Sequence, residues 1–130
     1  MALTKVKSLT TQHAFYEPLT WSFTTTYDLN KGNNFFHANN PTGGWDVALT
    51  NVPTSIDDAS AYVVKVKIIY YMSNVNYYPA TLTVNGTGVT LTTLSSSLVV
   101  NQWATSEITL LRYGGSWTAA HLFNSRLGAI

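Results

Sequence analysis

Alternating apolar and polar positions dominate this chain of 130 residues, and Tyr62–Tyr71 shows the pattern most clearly. The even positions of this stretch are all apolar, whereas the odd positions mix Lys65 and Lys67 with apolar residues. A period of two predicts an antiparallel β-strand with one buried face and one half-wetted face. We therefore expect a long central strand that organises an all-β domain.

The same alternation predicts shorter strands on both sides of this segment. One runs from Trp21 to Tyr27, with Trp21, Phe23, Thr25 and Tyr27 on a single face. Further short strands are expected at Phe35–His37, Trp45–Leu49, Ser106–Tyr113 and Ser116–Phe123. Asn85-Gly86 and Gly114-Gly115 are tight-turn signals between alternating segments, so each predicts a β-hairpin.

These strands and turns predict an all-β fold, an antiparallel β-sandwich of jelly-roll-like type with about eight or nine short strands. Residues 1–19 alternate only weakly and Pro18 interrupts strand pairing, so we expect an N-terminal arm or edge segment there. Residues 20–130 form the single predicted domain. Within it, Thr92–Trp103 is expected to be an irregular connection.

Charge is sparse, because charged residues make up 10% of the chain against about 25% in a typical soluble domain. The net charge is +1 and no basic stripe occurs, which argues against nucleic-acid binding. The sequence has no cysteine, and it has no apolar run typical of a signal peptide or a membrane span. We expect a protein made in a cytoplasm whose neutral, aromatic-rich composition suits a particle surface or an interface.

No constellation of residues indicates catalysis. The three histidines stand apart from one another, which favours structural roles over metal binding. Asp57-Asp58 fits a turn or a helix N-cap better than a calcium loop, and no carboxylate pair indicates a glycan-cleaving enzyme. The sequence therefore predicts no catalytic residue, no metal site and no cofactor.

Aromatic residues make up 13% of the chain, and three interpretations of them remain open. Core packing is expected for Trp21, Phe23, Trp45 and Tyr62. A protein–protein interface is the second interpretation, for the loop tyrosines Tyr77 and Tyr78, because Tyr and Trp are enriched at such surfaces. Alternatively, Tyr77, Tyr78 and Trp117, together with Tyr70 and Tyr71, could form a stacking platform for sugar rings.

Several segments resemble a β-rich module of virion structural proteins from tailed bacteriophages, including marine phages and cyanophages. The resemblance rests on YDLNKGNNFFHANNPTGGWDVALTNVPTS (Tyr27–Ser55), the long strand, LTVNGTGVTL (Leu82–Leu91) and ITLLRYGGSWT (Ile108–Thr118). In that family an Asn-Gly-Thr turn and an Arg-x-Gly-x-Trp-like hairpin close the domain. The resemblance covers about three quarters of the chain, although Leu94–Gln102 departs from the loop that usually follows the Asn-Gly-Thr hairpin.

The resemblance implies a non-enzymatic structural protein on the outside of a virion, made in the host cytoplasm. A short β-sandwich with an arm suits a capsid decoration, or cement, protein that binds the major capsid protein or another virion protein and associates with its own copies. The expected arm contacts are Leu3, Val6, Leu9, Phe15 and Tyr16. The alternative is a tail-fibre or spike module that recognises host glycan through Tyr77, Tyr78 and Trp117.

Overall fold

Ten β-strands and one 3₁₀ turn form the regular structure of the residues that the computed structural model describes, namely 18–56, 60–74, 76–95 and 100–128. The strands are β1 (Thr20–Ser22), β2 (Thr26–Asp28), β3 (Asn34–His37), β4 (Trp45–Thr50), β5 (Ala61–Met72), β6 (Pro79–Val84), β7 (Thr87–Val89), β8 (Leu91–Ser95), β9 (Gln102–Tyr113) and β10 (Ser116–Gly128). The prediction of an all-β fold is confirmed. None of these described segments contains a helix long and apolar enough to cross a membrane.

The larger sheet holds six strands in the order β1-β3-β5-β9-β10-β8. In it, β1, β3 and β5 are parallel, β9 is antiparallel to both β5 and β10, and β8 is parallel to β10. β5 and β9 pair along their whole length, from Ala61 opposite Tyr113 to Met72 opposite Gln102. This pair of 12-residue strands forms the centre of the larger sheet.

The smaller sheet holds four strands in the order β2-β4-β6-β7. Here β2, β4 and β6 are parallel, and β7 forms an antiparallel hairpin with β6. From β1 to β6 the chain alternates between the two sheets, so neighbouring strands of one sheet are connected through a strand of the other. This winding supplies the crossover that parallel pairing needs without a helix.

Both sheets are therefore mixed, and the predicted antiparallel jelly-roll sandwich is not confirmed. The alternation of apolar and polar residues reports which face of a strand is buried, but it carries no information about the direction of the neighbouring strand. Purely antiparallel pairing was expected because short strands with frequent turns usually form hairpins. Here only the β6–β7 and β9–β10 connections are hairpins between adjacent described strands.

Two elements differ from the expected strand pattern. The predicted strand Trp21–Tyr27 is broken, since β1 belongs to the larger sheet and β2 to the smaller one. The Ser22 hydroxyl donates to the Thr26 carbonyl oxygen over 2.9 Å and so stabilises the turn between them. The expected irregular connection Thr92–Trp103 also contains β-structure, because its first part pairs with β10 as strand β8.

The core lies between the sheets and takes residues from both of them. β5 contributes every second residue from Val66 to Met72, as its sequence pattern predicts. The other buried apolar residues are Tyr27, Phe35, Val47, Leu49, Val52, Leu82, Val84, Ala104, Ile108, Leu110 and Ala119. Aromatic contacts join the two sheets, such as the edge-on contact between Trp45 and Tyr70, whose ring centroids lie 5.0 Å apart.

Both predicted hairpins are confirmed by their turn geometry. Asn85 and Gly86 have φ angles of 50° and 84°, and Gly114 and Gly115 have φ angles of 59° and 77°. Positive φ at both central residues is the signature of a type I′ turn, which Asn-Gly and Gly-Gly adopt at low steric cost. Each turn therefore joins its two strands through only two residues.

A chain of hydrogen bonds runs through the aromatic part of the core. The indole N–H of Trp45 donates to the Tyr27 hydroxyl oxygen over 3.2 Å, and that hydroxyl lies 2.9 Å from Nδ1 of His37. Because an indole nitrogen can only donate, the Tyr27 hydroxyl accepts from Trp45, and it can donate its own proton to His37 when Nδ1 of that ring is unprotonated. Burial lowers the pKa of His37, which favours the neutral ring that can accept this bond.

The Tyr70 hydroxyl, unlike that of Tyr27, is buried without a hydrogen-bond partner among the described residues. The nearby Ser106 hydroxyl is fully buried as well, and it too makes no hydrogen bond with any described residue. Burial raises the pKa of Tyr70, and the Ser106 hydroxyl, which lies close by without meeting the geometry of a hydrogen bond, offsets that effect only in part. A buried hydroxyl without a well-formed hydrogen bond contributes little to stability and carries its full desolvation cost.

These two tyrosines should therefore respond differently to loss of the hydroxyl. Tyr27→Phe leaves the Trp45 and His37 nitrogens without their partner, so we expect it to lower the free energy of unfolding by about 1–3 kcal/mol. Tyr70→Phe should lower the free energy of unfolding by less than about 0.5 kcal/mol, or should raise it, since no established hydrogen bond is lost. Urea unfolding followed by circular dichroism measures both. Equal destabilisation by the two variants would contradict this description of the core.

Candidate binding surfaces

A row of aromatic side chains crosses the outer face of the larger sheet at the end where β5 finishes. In spatial order it consists of Phe23, Trp21, Phe36, Trp103 and Tyr71, which we call the aromatic row. Neighbouring ring centroids lie 6.1, 5.1, 5.4 and 5.6 Å apart in that order. These separations are those of contacting aromatic rings, so the row is a continuous surface feature.

The strand periodicity places the aromatic row outside the core. Phe36 points away from the core because its neighbours Phe35 and His37 are buried, and Trp21 likewise alternates with buried Ser22. Trp21 is 64% exposed and Phe23 is 62% exposed, whereas the other three rings are half-buried against one another. The core packing predicted for Trp21 and Phe23 is therefore wrong. A cluster of exposed aromatic side chains of this kind is typical of an interaction surface.

The rest of the outer face of the larger sheet changes character along β5 and β9. Its middle carries Lys65 and Lys67, with Lys67 directly opposite Glu107. Its far end is apolar again, because Val63, Leu111 and Tyr113 are exposed there. The face thus has two apolar ends and a charged centre.

The outer face of the smaller sheet is polar by comparison. Its surface includes Asp46, whose two carboxylate oxygens accept hydrogen bonds from the hydroxyls of Thr81 and Thr83 over 2.7 and 2.6 Å. Thr50 lies on the same strand as Asp46, and Thr26 lies on the neighbouring strand β2. The polar groups of such a face hydrogen-bond with one another or with water, and the face offers little apolar surface to a partner. The larger sheet therefore carries the candidate interface.

The tilt of the rings distinguishes between kinds of partner for the aromatic row. Successive ring planes are inclined by 51°, 53°, 41° and 76°. A sugar ring stacks on one flat aromatic face, and rings inclined by these angles do not form a shared flat platform. An irregular apolar relief instead suits the side chains of another protein, where aromatic residues are enriched.

A second candidate surface is a groove of about 750 Å³ at the opposite end of the sandwich. It opens between the β6–β7 turn and the β9–β10 hairpin, and Arg112 and Trp117 lie on its wall. The Arg112 guanidinium carbon sits 4.9 Å from the centre of the Trp117 ring, and Tyr62 contacts that ring edge-on. Stacking of this kind restrains a flexible arginine side chain.

The structure does not bring together the residues expected to form a sugar platform. Trp117 pairs with Arg112, which in turn pairs with Tyr62 near the start of β5. Tyr77 and Tyr78 lie beyond the other end of β5, so about 30 Å of strand separates the two sites. Tyr78 is half-buried and packs against the core. The three aromatic residues therefore cannot contact one sugar ring.

The predicted arm contacts Leu3, Val6, Leu9, Phe15 and Tyr16 lie outside the described residues. The first described residues, Pro18 and Leu19, lead directly into β1, which is an edge strand of the larger sheet. β1 carries Trp21 of the aromatic row. The described part of the chain thus begins three residues before Trp21 of this row.

The described residues offer little ionisable chemistry. Hydrogen bonds from the Asn51 side chain and the Asn30 backbone lower the pKa of Asp28, which caps the 3₁₀ turn. His37 is held in the core by Tyr27 and stacks on Trp45. Within the described ranges, no three His, Asp or Glu side chains come close enough together to hold a metal ion.

Sequence reasoning missed the aromatic row, although one signal pointed to it. The outer face of β5 carries Ile69 and Tyr71 at positions where a solvent-exposed face would carry polar residues. Trp103 has the same property, since it lies on the outer face of β9 opposite Tyr71. Apolar residues on both faces of a strand are typical of a strand whose two faces are both covered.

Comparison of the chain with family models, with curated proteins and with solved structures gives no match.

Proposed function

We propose that this protein is a non-enzymatic structural protein of a tailed-phage virion, a capsid cement or decoration protein that binds its partner through the outer face of the larger sheet. The observation that carries the proposal is the aromatic row, with Trp21 and Phe23 more than half exposed. The resemblance of the sequence to phage virion modules supports the choice of a virion protein as the partner. The protein is then located at the virion surface.

The size of the face supports a stable contact. The lengths of its six strands and a spacing of about 4.8 Å between them give the larger sheet a projected area on the order of 800 Å². A standard protein–protein interface covers about 800 Å² on each partner. The aromatic row supplies the kind of residues that contribute most binding energy, and the charged centre supplies orientation.

The sparse charge of the chain supports the same proposal. Copies of a cement protein lie side by side on a particle, and a net charge of +1 keeps the repulsion between them small. The polar outer face of the smaller sheet then faces solvent. Association between copies on the capsid lattice follows from this arrangement.

The proposal is tested by mixing the purified chain with capsid particles assembled without it and measuring co-sedimentation. We expect saturable binding at a copy number comparable with that of the major capsid protein. A few copies per particle would instead place the protein at the tail, and absence of binding to capsids and to tails would overturn a virion role.

The N-terminal segment provides a further prediction in the same assay. Removing residues 1–17 should leave the unfolding midpoint unchanged and weaken capsid binding by about a hundredfold, because a linked second contact raises overall affinity by at least that factor. If the shortened chain binds capsids as tightly as the full-length chain, residues 1–17 do not contribute to the interface. The full-length chain with a matched N-terminal tag serves as the control.

A tail-fibre role in glycan recognition is the second candidate. Its predicted platform of Tyr77, Tyr78 and Trp117 is divided between two ends of the sandwich. The groove beside Trp117 is the observation that still favours sugar binding, and it does so without the two tyrosines.

A further inference from the structure

The groove at the hairpin end of the sandwich is distinct from the proposed capsid-binding face. Arg112 and Trp117 belong to the inner face of the larger sheet, since they share a face with buried Leu110 and Ala119. The aromatic row lies on the outer face, at the other end of β5. A ligand in the groove and a partner on the aromatic row would therefore not compete for the same residues.

Arg112 is the charged residue of the groove. Among the described residues that line it, no other side chain carries a charge. No described residue accepts a hydrogen bond from the Arg112 guanidinium or forms a salt bridge with it. The guanidinium instead lies over the Trp117 ring in a cation–π contact. A half-buried guanidinium without an acceptor among the described residues is suited to a carboxylate, which it can bind in a bidentate manner.

The remaining walls of the groove carry short polar side chains. They come from Asn85 and Thr87 of the β6–β7 hairpin, from Thr90 and from Ser116. Hydroxyl and amide groups on opposite walls can donate to and accept from the hydroxyls of a sugar. The Trp117 ring adds an apolar surface for the C–H groups of a sugar ring.

We propose that this groove binds an acidic saccharide, with the carboxylate of a uronic-acid-type sugar on Arg112 and the sugar ring against Trp117. A nucleic acid is a poor fit, because repeated phosphates require several cations and the groove offers one. A neutral saccharide would leave the Arg112 charge unmatched in a partly desolvated site, which costs binding energy. The volume of about 750 Å³ accommodates two or three sugar units.

The test is titration of the full chain with tri-galacturonate, followed by the ¹H–¹⁵N signals of the tryptophan indoles. We expect saturable binding with a dissociation constant of about 1 mM or lower and a shift of the Trp117 signal, assigned with Trp117→Phe. Methyl-esterified tri-galacturonate should bind at least about tenfold more weakly, since one charge-assisted contact is worth that factor.

Two arginine variants and one matched control make the result specific. Arg112→Gln removes the charge and should weaken binding at least about tenfold. Arg112→Lys keeps the charge but should retain only part of the affinity, because lysine lacks the planar guanidinium that binds a carboxylate through two hydrogen bonds. Lys65→Gln removes one positive charge from the outer face and should bind like the unmodified chain. Thermal unfolding of each variant shows that it is folded at the temperature of the titration.

Several results would overturn the proposal. They are absence of binding at about 10 mM tri-galacturonate, equal binding by Arg112→Gln and the unmodified chain, or an equal effect of Lys65→Gln. Equal affinity for tri-glutamate would show that the groove recognises a carboxylate alone and would overturn the saccharide assignment. Loss of capsid binding leaves these outcomes unaffected, because they do not depend on the aromatic row.

Discussion

Replacing Trp21 and Phe23 together by alanine should weaken binding to capsid particles by at least about thirtyfold, which corresponds to about 2 kcal/mol or more. Both side chains are more than 60% exposed in the isolated chain, so they are available to a partner. Large aromatic residues that become buried at the centre of an interface are the usual source of such losses. Co-sedimentation of the variant with particles measures the effect.

The same substitution should have little effect on folding. Exposed side chains contribute little to the free energy of unfolding, and we expect the loss of the contact between Trp21 and Phe36 to cost about 1 kcal/mol or less. Ile56→Ala is the matched control, because Ile56 is 46% exposed and lies outside the larger sheet. Unchanged capsid binding by the double variant, or an equal loss with Ile56→Ala, would contradict the proposed interface.

Asn85→Ala should lower the free energy of unfolding by about 3 kcal/mol, far more than is usual for an exposed position. The Asn85 side chain accepts a hydrogen bond from the Val52 N–H over 3.0 Å and donates one to the Val52 carbonyl oxygen over 2.9 Å. Val52 is buried, so both of its backbone groups would lose their partner. Alanine is also strained at the φ angle of 50° that Asn85 adopts in the turn.

Two further variants separate these contributions. Asn85→Gly relieves the backbone strain and should cost about 2 kcal/mol from the lost hydrogen bonds alone. Asn51 has a similar φ angle of 57°, and its side chain donates to Asp28 at the surface. Asn51→Ala should therefore cost about 1–2 kcal/mol, from the strained backbone and the loss of one exposed hydrogen bond. Urea unfolding measures all three. Full stability of Asn85→Gly would show that Val52 does not depend on the Asn85 side chain.

The elements that could be predicted are those whose signal is local. The even positions of β5 are buried as expected from Val66 to Met72, and Asn85-Gly86 and Gly114-Gly115 form the expected turns. Burial of alternate residues and positive φ angles are imposed by neighbours within a few positions of the chain. These features need no knowledge of which strands meet.

The sheet topology could not be predicted for the same reason. Strand β1 pairs with β3 and β3 with β5, and each pairing depends on an intervening strand that belongs to the other sheet. A parallel pair and an antiparallel pair leave the same alternation in the sequence. The break between Trp21 and Tyr27 was hidden because the apolar alternation continues through the turn that separates β1 from β2.

The candidate sites depend on the same long-range information. The aromatic row joins Trp21, Phe36 and Trp103 from three strands that are distant in sequence and adjacent in space. The groove joins Arg112 and Trp117, which the Gly114-Gly115 turn brings together, with the separate β6–β7 hairpin. Trp117 was selected from sequence as a sugar-binding residue, but Arg112 was not, because its place on the wall of the groove beside Trp117 is visible only in three dimensions.

Hydroxyl-radical footprinting of purified virions, with oxidised peptides quantified by mass spectrometry, tests the proposed interface most directly. The free chain should be oxidised strongly at Trp21 and Phe23, in keeping with their exposure. On the virion we expect both residues to be protected, while Ile56 remains as reactive as in the free chain. Equal oxidation of Trp21 and Phe23 in the free and virion samples, or absence of the chain from purified virions, would contradict the proposed interface.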